Sequence, residues 1–215
     1  MKKKTLTIAI ALVLVVALAV GATWAYLTAQ SGPVVNTFTV GKAVASSDLK
    51  LYESKAVQGT DGTYSLDKTA APVTSNAYTV MPGVNLPKDP TVEVTKAEGP
   101  YYLFVEVTKG DQVGNNDTTK ALNYTVDGKN WTKLSINGKE VYAYTNGGTA
   151  AAILSGTVKA AVLKDNTITV SGNEALTSVL TADNAKLTFK AYACQAAGFA
   201  DATEAFNSCF VNTGK

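Results

Sequence analysis

The sequence predicts an all-β protein, a sandwich or barrel with short peripheral helices, preceded by an N-terminal signal helix. Beyond residue 30, runs rich in Thr, Val, Tyr and Phe alternate apolar with polar side chains, the period-two pattern of a strand with one buried face. Gly, Pro, Asn and Asp interrupt those runs at short intervals, and helix signals are few. The chain of 215 residues is long enough for one sizeable core, and it shows no repeat of solenoid or propeller length.

Taken in order, residues 1–25 read as a signal peptide. Lys2, Lys3 and Lys4 form a positive start, and an apolar stretch of about 15 residues follows from Leu6 to Val20. As a helix that stretch would span roughly 22 Å, short of a bilayer core of roughly 30 Å. Small residues come next, and cleavage is expected in the region of Thr23, Ala25 and Tyr26. The alternative is an uncleaved anchor, in which Trp24 to Leu27 lengthen the helix to about 22 residues. With cleavage the product has no other long apolar segment, so stable membrane insertion is not expected. It then carries 16 lysines against 17 acids, close to neutral, because three of the 19 basic residues belong to the leader.

Residues 26–41 form the expected first mature strand, and 42–215 the sandwich domain. The stretch from Ala43 to Asn76 mixes strand-like and polar pieces, fitting a long surface loop or a peripheral hairpin. Clear alternation marks strands at Leu49 and Leu51, at Val92 and Val94, and at Leu103, Val105 and Val107. Further strands are expected at 122–126, 131–136, 140–145, 157–163, 167–171 and 186–195. Asp127-Gly128, Asn137-Gly138 and Asp165-Asn166 carry the chemistry of hairpin turns, since these residues tolerate positive φ. Glu174 to Leu180 is expected to make a turn or two of helix. Asp201, with Glu204 three positions on, has capping-box spacing for a second short helix.

Cys194 and Cys209 are the only cysteines, and in an exported chain an even count favours one disulfide. The alternative is two reduced, buried thiols. A bridge would remove unfolded-chain entropy worth on the order of 3 kcal/mol.

Composition excludes much chemistry. All the basic residues are lysine and histidine is absent, so there is no Ser-His-Asp or Cys-His nucleophile system, no His-ligated zinc and no guanidinium fork. Lysines balanced by carboxylates form no nucleic-acid footprint. No catalytic, cofactor or metal site is assigned, and the chain is not expected to be an enzyme. Weaker candidates remain. The loop from Asp111 to Asp117 gathers oxygen ligands of the kind calcium uses, though not at EF-hand spacing. Asp89, Glu93, Glu98 and Glu106 are the carboxyls available for acid/base work on a glycoside. Tyr101, Tyr102, Phe104, Tyr142 and Tyr144 offer either stacking surface or core packing. Asn116, Asn123 and Asn130 head simple glycan-acceptor triplets.

Several segments resemble the TasA and camelysin (CalY) type proteins of Gram-positive bacteria, which are exported with signals processed by the peptidase SipW. The resemblance rests on Gly21-Ala-Thr-Trp-Ala-Tyr-Leu-Thr28 and Asn36-Thr-Phe-Thr-Val-Gly41. It continues in Tyr78-Thr-Val-Met-Pro-Gly83, Lys88-Asp-Pro-Thr-Val92, Tyr102-Leu-Phe-Val-Glu-Val107, and Ala191-Tyr-Ala-Cys-Gln-Ala196 with Gly198-Phe199. The chain departs from the pattern in lacking acidic residues between Thr28 and Val35 and in carrying the cysteine pair. The resemblance implies a jelly-roll-like β-sandwich and a secreted subunit of biofilm-matrix or cell-surface fibres of a Gram-positive bacterium. Some relatives are described as metallopeptidases, a role for which a chain without histidine has few ligands.

The expected mechanism is strand donation. The segment around Leu27 to Gly41 would add to a neighbour's open sheet edge, placing Val35, Phe38 and Val40 into its groove, or would fold back into its own domain. Expected partners are copies of itself in a homopolymer, the signal peptidase during export, and other matrix proteins, but not nucleic acid. The alternatives are an adhesin-like sandwich binding glycan or host protein, and a camelysin-like secreted peptidase.

Overall fold

The computed structural model describes residues 43–212. The signal segment, the cleavage region at Thr23, Ala25 and Tyr26, and the donor residues Val35, Phe38 and Val40 lie outside the described residues. Among the described residues thirteen strands carry the fold. They are β1 (Leu49–Tyr52), β2 (Lys55–Gln58), β3 (Tyr64–Asp67), β4 (Leu86–Pro87), β5 (Thr91–Val94), β6 (Tyr101–Lys109) and β7 (Val113–Asn115). The remainder are β8 (Leu122–Tyr124), β9 (Trp131–Ile136), β10 (Lys139–Tyr144), β11 (Val158–Ala161), β12 (Thr167–Val170) and β13 (Leu187–Gln195).

One layer is the antiparallel sheet β13-β6-β10-β9. The facing layer is made of β1-β5-β11 and β4-β12-β8-β7, in which only β7 and β8 run parallel. Those two sheets continue into each other, because β11 and β12 are one run of chain broken by a single turn at Lys164–Asn166. On either side of that turn, Val162 N donates to Pro90 O and Lys88 N to Asn166 O, so the ladder against β5 and β4 persists. Of the two readings for Ala43 to Asn76, the peripheral hairpin is present, as β2 and β3.

The main core lies between the layers. Val92, Val94, Ala160, Val162, Ile168 and Val170 from one side meet Leu103, Val105, Trp131 and Tyr144 from the other. Trp131 fastens the layers with an Nε1 hydrogen bond to Ala161 O at 2.7 Å. A second core covers the outer face of β6 and β10, where Tyr102, Phe104, Val141 and Ala143 pack under the C-terminal segment. Burial on both faces explains why β6 is apolar from Tyr101 to Val105, with Tyr101 and Leu103 to Val105 all but inaccessible.

The cover of the second core is α2 (Ala202–Phe206), continued by a π turn at Asn207–Val211. Asp201 caps it as its spacing predicts, its carboxylate accepting from Glu204 N at 2.8 Å. Glu204 Oε2 in turn accepts from Ala200 N, one residue before the cap. Cys194 and Cys209 are disulfide-bonded, tying β13 to the π turn across 15 residues of sequence. The other helix, α1 (Glu174–Thr177), is the single turn at the lower end of the expectation and is capped by Asn173.

Two of the three expected hairpin turns do not close hairpins. Only Asn137-Gly138 joins paired neighbours, β9 and β10, with Gly138 at φ 69°. Asp127-Gly128 passes the chain from β8 in one layer to β9 in the other, because β8 pairs with β12. Asp165 and Asn166 do take positive φ, 55° and 50°, but within the turn that interrupts a single strand run. Turn chemistry fixes where the chain bends and leaves open which strand it then meets.

Candidate functional site

The flank bordered by β1 and β13 is the least finished part of the sandwich. These strands come from opposite layers, run beside one another, and each is the last strand of its sheet among the described residues. Backbone parity follows from the neighbouring bonds. Asp48 O accepts from Thr95 N, so Leu49 and Leu51 turn their N–H and C=O groups to the outer edge of β1. Lys186 O and Ala196 N bond toward β6, so Leu187, Phe189, Ala191 and Ala193 do the same along β13. No described strand pairs with either edge.

The side chains of these six residues point into the main core but are only half-buried, whereas Val92, Val94, Leu103 and Val105 are fully covered. Between the edges lies a cavity of about 640 Å³, with Leu51, Leu86 and Ile168 on one wall and Leu187 and Phe189 on the other. That volume is within the roughly 300–1,000 Å³ range of ligand sites. The lining is mostly apolar, and its open margins offer backbone hydrogen bonds. Such a slot can accept an extended chain with alternating apolar side chains.

One corner of the groove is polar. Glu53 follows β1, is 7% exposed, and exchanges two backbone bonds with Val73, which brings the chain from 74 to 80 across the groove wall. Its carboxylate takes Lys88 Nζ at 2.6 Å on one oxygen and Asn76 Nδ2 at 3.0 Å on the other. Asn76 is held on both sides, its Nδ2 donating to Ser54 O and its Oδ1 accepting from Ala56 N. Burial, then the negative charges of Glu53 and Asp89, push the neighbouring Tyr78 hydroxyl well above its ordinary pKa. Sequence reasoning missed this cluster, whose members are 23 and 12 residues apart and match no motif.

A second withdrawn carboxylate, half-buried and also missed, belongs to Glu140. Its Oε1 accepts from Tyr124, Tyr142 and Asn115, and its Oε2 meets Lys109 at 2.9 Å. Burial alone would raise this carboxyl, but the four donors outweigh it and hold it down at about 2. Burial and Glu140 together push the Tyr124 and Tyr142 hydroxyls far up.

The residues singled out from sequence are not brought to one place. Asp89 accepts from Ser54, Glu93 from Tyr52, and Glu106 from Lys139 and Tyr192, while Glu98 meets Lys96 at the surface. Asp117 caps Thr119 within its own loop, and Asn115 turns inward to Glu140. Among the described residues no three metal-ligating side chains converge. Tyr101, Tyr102, Phe104, Tyr142 and Tyr144 are all buried, which fits core packing and leaves no stacking surface. Asn123 and Asn130 are engaged in local hydrogen bonds with Asp117 and Asp127, and Asn116 is exposed at φ 53°. No described helix is long and apolar enough to cross a membrane.

Comparison of the chain with protein-family models, curated proteins and solved structures finds no match.

Proposed function

We propose that this chain is a secreted structural subunit that builds extracellular matrix or surface fibres by strand donation. The segment at 26–41 of one copy enters the groove between β1 and β13 of the next. The observation that carries this reading is the unfinished flank, where inward-facing apolar side chains are half-covered beneath two strand edges with which no described strand pairs. A donated strand supplies both missing parts, backbone partners for the edges and side chains for the slot. Asn36-Thr37-Phe38-Thr39-Val40 has the uncharged, β-prone composition such a strand needs, with Phe38 and Val40 on one face. Donation runs head to tail and does not close on itself, so it yields filaments. The resemblance to TasA and camelysin-type proteins, and the jelly-roll order it implies, belong to the same reading.

The test is electron microscopy of the processed protein beside two variants, one lacking residues 27–41 and one carrying Leu51→Lys in the groove. Both variants are expected to stay monomeric while the parent forms fibres. Fibres from either variant would sink the proposal. Fold-back of the segment into its own groove would show as a parent that remains monomeric at every concentration.

A further inference from the structure

The polar corner of the groove brings together the parts of a condensation reaction. Forming an amide from a lysine and an asparagine requires an amine stripped of its proton, a polarised carboxamide, and a group that returns the proton to the departing nitrogen. Lys88 Nζ lies 2.6 Å from Glu53 Oε1, and Asn76 Nδ2 donates to Glu53 Oε2 at 3.0 Å, so one carboxylate holds both reactants. The Lys88 and Glu53 side chains are only 12% and 10% exposed, and Nζ sits 5.9 Å from the centre of the Phe189 ring. These two side chains are therefore largely withdrawn from bulk water. The carboxamide orientation is fixed by the backbone, since Ser54 O can only accept and Ala56 N can only donate. The Ala56 N–H thus points at Oδ1 from 2.8 Å, where negative charge would gather as an amine adds to the carbonyl.

We propose that Lys88 and Asn76 join in an intramolecular isopeptide bond, with Glu53 as the proton carrier. Glu53 takes a proton from the Lys88 ammonium, and the freed Nζ electron pair attacks Cγ of Asn76. The Nζ–Cγ bond forms and the Cγ–Nδ2 bond breaks. Glu53 passes its proton to Nδ2 and takes the surplus one from Nζ, and ammonia leaves and is released as ammonium. One ammonium is consumed and one released, and nothing is oxidised or reduced. The product pins the wall of the groove to the end of β4, a modification independent of whether the groove takes a donated strand.

Glu140, Lys109 and Asn115 repeat the three residue types and serve as the internal control. There two tyrosine hydroxyls also occupy the carboxylate, the Lys109 side chain is 32% exposed, and no described group donates to Asn115 Oδ1. That site lacks the carbonyl polarisation that Ala56 provides at the first.

The test is the intact mass of the reduced, full-length processed protein. It is expected to be lighter than its sequence by one ammonia, and digestion is expected to release a branched peptide joining Asn76 to Lys88. Glu53→Ala and Lys88→Arg are expected to restore the full mass, and Lys109→Arg to leave the deficit in place. A parent at full sequence mass overturns the proposal without recourse to any variant. So does a deficit that survives Lys88→Arg, the mark of a succinimide at Asn76, or one that disappears with Lys109→Arg.

Discussion

Glu53 is buried and Glu140 half-buried, and each grips a lysine and an asparagine, yet their surroundings give them opposite characters. Glu140 is saturated. Tyr124, Tyr142 and Asn115 converge on one oxygen and Lys109 holds the other, so the carboxylate is locked in its charged form and fastens the β6, β8 and β10 region. Glu53 has fewer donors, and those donors are an amine and a carboxamide whose own geometry is set by the backbone. The same trio of residue types is thus a rivet in one place and a set of reactants in the other. The deciding difference is what else touches the carboxylate and the amide oxygen, not the side chains themselves.

The contrast can be broken most forcefully at Glu140. Glu140→Ala removes the acceptor that Lys109, Asn115 and two hydroxyls share, leaving Lys109 only Tyr124 Oη and Asn115 only Tyr142 Oη, and is expected to cost about 2–3 kcal/mol in urea unfolding. A loss below about 1 kcal/mol would show that the network relaxes onto water. Acid is the next lever. Because the folded carboxyl is held at about 2, below its ordinary value of 4.5, its contribution is complete above 4.5 and drains away as pH falls from there through 2. Allowing for the partial exposure of its lysine partner, on the order of 2 kcal/mol should disappear across that window, and Glu140→Gln should flatten it. Tyr124→Phe sharpens the picture with a smaller effect. Removing one of the donors is expected to cost about 1 kcal/mol and to move the acid transition upward in pH, with the Glu53 site undisturbed.

The strands themselves were largely legible. Alternation at Leu49 and Leu51, Val92 and Val94, and Leu103 to Val107 marked β1, β5 and β6 because one face of each meets the main core. Their pairing was not legible, since Asp127-Gly128 and Asp165-Asn166 have the same local chemistry as the true hairpin turn at Asn137-Gly138. Which strand follows a bend is decided by packing between layers, over distances no turn residue senses. Glu140 was hidden for a related reason. In the run from Lys139 to Tyr144 it reads as one more polar residue on an outer face. Its burial comes from Tyr124 on β8 and Asn115 on β7, which the fold alone brings near. Glu53 and Asn76 meet only because Val73 docks on the strand end beyond β1.

The register between β6 and β13 has a mechanical meaning. These strands are matched antiparallel over nine residues, from Leu187 opposite Lys109 to Gln195 opposite Tyr101. A neighbour bonded to the outer side of β13 would pull along its length, so the whole ladder would be sheared at once instead of peeling open rung by rung. The sulfur bridge at Cys194 anchors the far end of the same strand, so tension entering there would spread into the C-terminal cap before any single bond carried all of it.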